Sequence, residues 1–561
     1  MRFFILFLAA TVLGSEPLEA WTYDDHPAEK LFSELGCTVC HPGLPDKSDI
    51  IEKAPDLSHA GTRFSSAYLF DFLQNPKRVR FHIARAQMPN FHLSAKESLA
   101  LTLFLERQTE ISGVWPELPP ELTTSEKKYR RDENSSRARK LLSRYECEKC
   151  HSLEGAAANE SIDLKTVSYR LQRDWVKAYL AAPFVYDGLK TKMPSYYYEI
   201  NYADLTYVEM IPDAAKKISI ITEFLFSFEN EKRTRLQQKY DAAKAAYPDI
   251  TANLGEKIFL TLNCAACHKF SQQAGIPVKI APDLSREGMR VKPSWLKAYL
   301  QKPDPIRPFG SFPGSGSRMP VFDLSRAEVD TLADYFISQN RRFSTASFTR
   351  RMLSAFSQAK AKKLLKEKLP CLGCHQLGSE GGKIAPNLSR LNSRLQDGYV
   401  YQVIRDPKSL HPETVMPKIP MPEKTLHLLV NYLVQQEEPL VEPAYLSPVD
   451  HAVYFSPEDT SGRGDYLKYC ASCHGINGDS DGFNTGYLPK KPTKHSDAAY
   501  LSQRPDDTLF DGIFAGGYIL NKSHTMPPWG QTLNENEIRQ LVAYIRKLCQ
   551  CEGPAWSRDN K

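Results

Sequence analysis

Apolar positions recur at helical spacing in five stretches of this 561-residue chain, and each stretch opens the same series of elements. A first helix is followed by a turn, a middle helix, a proline-rich loop containing Met-Pro, and an amphipathic last helix. The first helices contain Ala28-Glu-Lys-Leu-Phe, Ala138-Arg-Lys-Leu-Leu, Gly255-Glu-Lys-Ile-Phe, Ala361-Lys-Lys-Leu-Leu and Gly464-Asp-Tyr-Leu. This repetition predicts an all-α chain built from five copies of one helical unit.

Two further features are copied between the units. A turn before the middle helix has nearly the same sequence in three of them: Ala54-Pro-Asp-Leu-Ser58, Ala281-Pro-Asp-Leu-Ser285 and Ala385-Pro-Asn-Leu-Ser389. The last helix of three units starts with a capping box, in which a cap residue stands three positions before a carboxylate. The pairs are Ser94 with Glu97, Ser325 with Glu328, and Asn534 with Glu537.

The repeat divides the chain into five predicted domains of roughly 100 residues, a usual size for a compact domain. They are unit 1 (residues 21–112), unit 2 (134–232), unit 3 (250–341), unit 4 (357–437) and unit 5 (458–551). The linkers between them are rich in proline or charge. Those at about 229–249 and 341–356 contain Lys, Arg and Ala runs that favour extension of the neighbouring helices.

Residues 1–20 predict a secretory signal peptide, because Arg2 precedes an apolar run from Phe3 to Leu13 and small residues follow that run. The run is much shorter than the roughly 20 apolar residues that span a bilayer, which makes an uncleaved membrane anchor the weaker interpretation. We therefore expect an exported, periplasmic protein.

The chemistry of the chain is carried by a Cys-x-x-Cys-His motif that occurs once per unit, directly after the first helix. Two thiols one turn apart reach the two vinyl groups of one porphyrin, and the next residue presents its imidazole to the iron. The motif cysteines are Cys37, Cys40, Cys147, Cys150, Cys264, Cys267, Cys371, Cys374, Cys470 and Cys473. The proximal iron ligands are His41, His151, His268, His375 and His474. The sequence thus predicts five covalently bound haem c groups.

The formal net charge of +6 does not indicate an anionic partner. Five haems would add about ten propionate charges, partly offset by the irons, so the holoprotein is expected to be close to neutral. The charge balance therefore gives no argument for nucleic-acid binding.

The order of helix, Cys-x-x-Cys-His, loop, middle helix, Met-Pro and last helix resembles the small mono-haem class I cytochrome c domain, here in five tandem copies. The resemblance implies a helical fold around each haem and a distal methionine ligand. The matching positions are Met88, Met193, Met319, Met416 and Met526, at 47, 42, 51, 41 and 52 residues after their motif histidines. Such His/Met ligation raises the reduction potential and leaves no open iron position for a substrate.

Two units depart from this pattern and leave their distal ligands open. In unit 4, Met421 and His411 compete with Met416, although register favours Met416. In unit 2, Met210 competes with Met193 across a tyrosine-rich insertion. If one haem is altered for catalysis, we expect it to be that of unit 2, although the tyrosines also suit a contact between domains.

Cys549 and Cys551 remain outside the motifs. A disulfide across one intervening residue is strained. The alternatives are pairing with another chain, a soft-metal site and free thiols, and the sequence does not choose among them.

Together these features predict an electron-transfer protein and not an enzyme. Its expected redox partners are a donor dehydrogenase or quinol-oxidising complex and an acceptor oxidase or reductase. The first alternative is a haem enzyme of the peroxidase or nitrogen-oxide reductase type, with an open iron in unit 2. The second is a cytochrome subunit of a membrane respiratory complex.

Overall fold

The structure is a computed structural model, and all structural statements refer to the residues that it describes. These are residues 27–41, 54–77, 79, 87–110, 117–123, 131–153, 162–187, 191–204, 206–268, 281–307, 318–338, 348–389, 391–412, 414–439 and 461–557. The predicted signal peptide, residues 1–20, lies outside them. Within the described ranges, no helix has the length and apolar character needed to cross a membrane.

The described part of the chain is mostly helical, as the sequence predicts. Its helices of eight or more residues are α1 (Pro27–Leu35), α2 (Ser66–Gln74), α3 (Ala95–Glu106), α4 (Arg131–Arg144), α5 (Arg173–Ala181), α6 (Ala214–Leu225), α7 (Asn230–Ala246), α8 (Ala252–Thr261), α9 (Pro293–Gln301), α10 (Arg326–Ser338), α11 (Ala355–Glu367), α12 (Asp397–Arg405), α13 (Glu423–Leu433), α14 (Gly462–Tyr469), α15 (Asp506–Ala515) and α16 (Glu535–Cys549).

All three predicted capping boxes are present, because each depends only on residues three positions apart. In α3, the Glu97 amide donates to Ser94 Oγ over 3.2 Å, and the Ser94 amide donates back to Glu97 Oε2 over 2.8 Å. The same reciprocal bonds start α10 and α16. The starts of these helices were therefore predicted correctly.

The second linker forms a helix, as its composition predicts. Helix α7 leaves unit 2 and packs on α2 of unit 1. The Tyr240 hydroxyl donates to Glu106 Oε1 over 2.7 Å, and Lys239 Nζ lies 2.7 Å from Asp71 Oδ1. These contacts fasten unit 2 to unit 1.

The insertion of unit 2 contains a β-hairpin that the all-α prediction omits. Strands β1 (Tyr198–Asn201) and β2 (Thr206–Glu209) pair antiparallel, and a two-residue pair, β3 (Gln376–Leu377) with β4 (Glu380–Gly381), follows the motif of unit 4. The residues of β1 alternate between buried and exposed, as expected for a strand with one face on a core. The tyrosines next to the hairpin pack within unit 2, with the Tyr145 and Tyr197 rings 5.4 Å apart.

The first helix packs against a last helix in every unit, but not always in its own. Units 2, 4 and 5 pair α4 with α6, α11 with α13, and α14 with α16. Units 1 and 3 exchange partners, so that α8 packs on α3 and α1 packs on α10.

This exchange involves two of the predicted domains. Among the described residues of 21–112 and 250–341, the first helix of each range packs on the last helix of the other. Phe32 belongs to the core cluster of Val329 and Leu332, whereas Phe259 belongs to that of Leu99. The physical reason is that Ala28 of α1 and Gly255 of α8 stand at the same position of their patterns, and a Cβ at Gly255 would collide with the carbonyl oxygen of Ala100 in α3. The groove of α3 therefore fits α8 and not α1.

Candidate haem-binding sites

Each Cys-x-x-Cys-His motif forms one tight turn at the end of a first helix. The histidine amide donates to the carbonyl of the first cysteine over 2.9–3.1 Å in all five copies. In units 1 to 3 the residue before the first cysteine has a left-handed backbone, with φ of 70° at Gly36, 55° at Glu146 and 56° at Asn263. That backbone ends the helix sharply, so both thiols and the imidazole emerge from a single turn.

Every motif histidine is held by the same hydrogen bond from its Nδ1 atom to a backbone carbonyl. Because a carbonyl only accepts, Nδ1 carries the proton and the lone pair of Nε2 remains available to an iron. The carbonyls belong to Pro282 for His41 (2.8 Å), Ile162 for His151 (3.0 Å), Pro55 for His268 (2.9 Å), Pro386 for His375 (2.7 Å) and Thr493 for His474 (2.8 Å).

The surroundings of the motif histidines and of the buried motif thiols favour their uncharged forms. Burial lowers the pKa of all five motif histidines, which favours the neutral imidazole that binds metal. Burial also raises the pKa of the thiols, to about 12 at Cys37 and Cys264 and to about 11 at Cys371. Such surroundings suit an apolar porphyrin.

Three of the predicted methionine ligands pack into cores that contain a motif cysteine. Met319 lies in the cluster with Cys37, and Met88 lies in a larger cluster that contains both Cys147 and Cys264. Met526 packs in the same cluster as the first cysteine of its own motif. The pairing of Met319 with Cys37 follows the helix exchange and not the order of the chain.

The other two methionines share a local turn. The Met193 amide donates to Thr191 Oγ1 over 3.2 Å, and the Met416 amide donates to Thr414 Oγ1 over 3.1 Å. This common turn gives Met416 the same register as Met193.

The competing ligands of units 2 and 4 have other surroundings. His411 Nε2 lies 2.7 Å from the Tyr399 hydroxyl, and Met421 packs against the core of unit 4. Met210 follows β2 and is 50% exposed. The exposure of Met210 favours Met193 in unit 2, whereas in unit 4 Met421 shares the core that contains Cys371 and stays a candidate beside Met416.

Two pairs of motifs lie side by side. Burial and then the neighbouring Cys40 raise the pKa of Cys267 to about 12, which places the motifs of units 1 and 3 together. Burial and then Cys473 raise the pKa of Cys374, which does the same for units 4 and 5.

Asn484 joins the motifs of units 4 and 5 and is fully buried. Its Nδ2 donates to the carbonyl of Gly373 inside the fourth motif, and its Oδ1 accepts from the Lys383 amide, both over 2.9 Å. A Cβ on Gly373 would lie 2.1 Å from the carbonyl oxygen of Thr525, the residue before Met526. The fourth motif therefore packs directly on the methionine loop of unit 5.

Backbone bridges make two further junctions. Phe64 pairs with Leu171 to join units 1 and 2, and Val291 pairs with Leu395 to join units 3 and 4. Each bridging residue follows an arginine and precedes an aromatic residue by four positions. The four sets are Arg63 and Tyr68, Arg170 and Trp175, Arg290 and Trp295, and Arg394 and Tyr399.

At the first bridge the arginines and aromatic rings cross between the units. The Arg63 guanidinium lies 4.7 Å from the centre of the Trp175 ring, and the Arg170 guanidinium lies 5.4 Å from the centre of the Tyr68 ring. Such cation–π contacts stabilise a partly desolvated guanidinium.

These arginines fit the propionates of covalently bound haem. The buried Nε atoms of Arg170 and Arg290 have no hydrogen-bond partner among the described residues. Burial and then the nearby Arg290 lower the pKa of Arg394 to about 10, and the carboxylate paired with Arg290 is Glu287, at 2.7 Å. Clustered cations in a buried site need further anions, and two haem propionates would provide them.

No functional role was predicted from the sequence for these arginines, for Asn484 or for one histidine. The His495 ring stacks on the His474 ring with centroids 4.0 Å apart and planes 8° apart, and its Nδ1 lies 3.0 Å from the Tyr466 hydroxyl. Arginine five residues before an aromatic residue recurs in four units and could have been found. No sequence pattern points to Asn484 or His495.

Cys549 and Cys551 form a disulfide, with their Cα atoms 5.1 Å apart. Gln550 between them has a left-handed φ of 50°, which turns the chain at the end of α16. The structure thus selects the disulfide among the alternatives that the sequence left open.

Two protein families match parts of this chain. Residues 252–339 match the cytochrome c family, and residues 457–545 match cytochrome c oxidase, cbb3-type, subunit III. No curated protein matches the chain. Among solved structures it is similar to a chain of the Kuenenia stuttgartiensis reducing HAO-like protein complex Kustc0457/Kustc0458, at 19% identity over 36% of this chain and 99% of that chain, with a TM-score of 0.14.

The family matches show that units 3 and 5 contain sequence similar to cytochrome c domains. Cytochrome c domains bind haem covalently and transfer electrons. The matched residues cover the predicted haem motifs and methionines of units 3 and 5. The similarity to the solved structure is too low in TM-score to carry an argument.

Proposed function

We propose that this protein is a periplasmic pentahaem cytochrome that conducts electrons between a respiratory donor and a terminal acceptor. The observation that carries the proposal is the common geometry of the five motif histidines. Each has Nδ1–H bonded to a carbonyl over 2.7–3.0 Å, so each motif can bind one iron through Nε2. When bound, the haems supply one-electron redox chemistry.

The junctions between units support a linear order of haem pockets. Unit 2 meets unit 1 at the Phe64–Leu171 bridge, and unit 3 meets unit 4 at the Val291–Leu395 bridge. Units 1 and 3, and units 4 and 5, meet at their cysteine motifs. Named by the unit that supplies the turn and the methionine loop, the pocket order is 2, 1, 3, 4, 5, and arginine-lined and cysteine-lined junctions alternate along it.

The two ends of this order suit exchange of electrons with partners. Cys150 of unit 2 is exposed, whereas the other motif cysteines are partly buried, and unit 5 closes the opposite end. We assign the donor dehydrogenase or quinol-oxidising complex to one end and the acceptor oxidase or reductase to the other.

Electron transfer is favoured over catalysis because each unit offers a methionine as a second ligand. A thioether in the sixth position raises the potential and closes the iron to substrate. The residues of the chain then orient each imidazole, compensate propionate charge and exclude water.

The match of residues 457–545 to a subunit of cbb3-type oxidase favours a second candidate, a cytochrome subunit of a membrane respiratory complex. Affinity purification of the tagged protein from mildly solubilised membranes tests it. A stoichiometric membrane partner supports the subunit, and recovery of this chain alone from the soluble fraction supports the free carrier.

The main proposal is tested by the haem content and optical spectrum of the mature protein. We expect five haems by intact mass and pyridine haemochrome, and no spectral change when carbon monoxide is added to the reduced protein. A shift equal to about one haem in five would reveal an open iron and favour the haem enzyme. Fewer than five haems would overturn the pentahaem assignment.

A further inference from the structure

Units 1 and 3 are built from exchanged segments, and the exchange reaches the haem motifs. Helix α8 crosses α3 so closely that a Cβ on Gly255 would lie 1.9 Å from the carbonyl oxygen of Ala100. In the other half, the Phe32 ring of α1 lies 5.1 Å from the Tyr335 ring and 5.5 Å from the Phe336 ring of α10. Both contacts are core contacts.

The histidine geometry of the exchanged pair matches that of unit 4, in which nothing is exchanged. In unit 4 the Ala385 amide donates to the carbonyl of Cys374 over 3.0 Å. In the pair, the Ala281 amide donates to the carbonyl of Cys40 over 3.1 Å. The carbonyl next to Ala281, that of Pro282, accepts from His41, so the turn of unit 3 fits the motif of unit 1.

We propose that the two haems of this pair have crossed axial ligands. The haem of the first motif is bound by His41 and Met319, and the haem of the third motif is bound by His268 and Met88. The inference rests on the proposed function, since it requires a covalent haem at each motif. Its own basis is the packing of Met319 with Cys37 and the bonds of His41 to the Pro282 carbonyl and of His268 to the Pro55 carbonyl, which place each motif on the turn of the other unit.

Contacts between the methionine loops join the pair into one body. The Asn90 amide donates to the Val321 carbonyl, and the Val321 amide donates to the Asn90 carbonyl, both over 2.9 Å. Arg318, next to Met319, lies 3.1 Å from the buried Glu97 of unit 1. Each methionine is thus held beside the unit that supplies the opposite motif.

The chain is long enough for the exchange. The segments between motif and turn, residues 42–53 and 269–280, have twelve residues each and reach at most roughly 40 Å when extended. Each motif lies on the turn of the other unit, since His41 bonds to the Pro282 carbonyl and His268 bonds to the Pro55 carbonyl.

The test combines loss of one haem with loss of one methionine. Cys37→Ser with Cys40→Ser removes the haem of the first motif and leaves four, counted by intact mass. In that background, crossed ligation predicts that Met319→Ala leaves the absorption of methionine-bound ferric haem unchanged. Met88→Ala should remove the contribution of one of the four remaining haems.

The opposite background is the matched control. In Cys264→Ser with Cys267→Ser, the effects of the two methionine variants should be reversed. If Met88→Ala is silent when the first haem is missing, the ligands follow the order of the chain and the inference fails. If neither methionine variant changes the spectrum of the five-haem protein, the methionine ligation of the proposed function fails instead.

A cross-link in the five-haem protein decides the matter if these variants do not mature. Arg107 Nη1 lies 3.2 Å from Asn253 Oδ1 at the end of the exchanged helix pair. Arg107→Cys with Asn253→Cys should be joined within one chain by a short bismaleimide. The control pair, Asn253→Cys with Ser338→Cys, occupies the corresponding positions of α8 and α10 and should not be joined.

Cross-linking of the control pair without cross-linking of the first pair would overturn the exchange. A covalent dimer with the first pair would show that the helices cross between two copies of the chain, and would overturn crossing within one chain.

Discussion

Unit 5 pairs its own first and last helices, whereas units 1 and 3 exchange theirs. In unit 5 a Cβ on Gly462 of α14 would lie 2.4 Å from the carbonyl oxygen of Gln540 in α16. In the pair, Gly255 makes the corresponding approach to Ala100 of α3. The same close helix crossing is thus built from neighbouring and from distant segments, so a small residue and a matching groove define it.

The difference changes how the two regions should respond to substitution. Unit 5 contains its motif, turn, methionine loop and last helix in one stretch of chain, so damage there should stay local. In the pair of units 1 and 3, a substitution in the first helix of one unit disturbs the core of the other unit. Substitutions with matched counterparts in unit 5 can therefore separate the two cases.

Phe32→Ala should have the largest effect. Phe32 is 1% exposed and packs on two rings of α10, and removing such a buried ring costs about 4 kcal/mol. Hydrogen exchange in holoprotein should speed up in α10 of unit 3 and stay unchanged in α3 of unit 1. The matched variant Tyr466→Ala should speed up exchange in α16 of its own unit. Faster exchange in α3 after Phe32→Ala would contradict the exchanged packing.

Glu97→Gln should have the second largest effect. Glu97 and Arg318 have side chains 1% and 6% exposed and form an ion pair between units 1 and 3. Glutamine keeps the capping box but leaves a buried cation, which costs about 3 kcal/mol. Denaturant unfolding monitored at the methionine-bound haems measures the loss. Glu537→Gln, in the exposed capping box of unit 5, should be nearly neutral, and equal losses would show that capping and not the ion pair is responsible.

The repeat itself could be predicted from the sequence because its signals are local. The capping box of Ser94 and Glu97 and the turn of each haem motif depend on residues within one helical turn. The exchange could not be predicted, because Phe32 and Phe259 stand in nearly identical patterns and the difference between Ala28 and Gly255 gains its meaning only from the close approach to Ala100 in the fold. The role of Asn484 could not be predicted either, because its hydrogen-bond partner Gly373 lies 111 positions away in the sequence.

The arginines are an intermediate case. The spacing from Arg290 to Trp295 and from Arg394 to Tyr399 repeats in the sequence, but the contact between the two units depends on the Val291–Leu395 bridge. The spacing between arginine and aromatic residue was therefore visible in the sequence, but only the structure shows that the copies in units 3 and 4 face each other. The hairpin of unit 2 was missed because helical repeats on both sides outweighed a short alternating segment.

Asn484→Ala should have a moderate effect that is confined to the junction of units 4 and 5. The substitution removes the donor to the Gly373 carbonyl and the acceptor for the Lys383 amide, which costs about 2 kcal/mol. We expect faster hydrogen exchange at the Lys383 amide and no change in α3 or α8. Faster exchange in the pair of units 1 and 3 would show that the two junctions are coupled.

Ser94→Ala should have the smallest effect on the free energy of unfolding, and it tests the difference between unit 1 and unit 5 with the least disturbance of the fold. It removes the acceptor for the Glu97 amide and should cost about 1 kcal/mol, the usual value of a helix cap. Asn534→Ala removes the equivalent acceptor in unit 5 and should cost the same, so total stability does not distinguish the two regions.

The location of the loosened partner helix does distinguish them. Since α3 packs on α8, Ser94→Ala should raise hydrogen exchange in α8, which lies about 150 residues further along the chain. Asn534→Ala should raise exchange in α14 of its own unit, because α16 packs there. If Ser94→Ala instead loosened α1, unit 1 would be closed like unit 5, and the difference between the two regions would disappear.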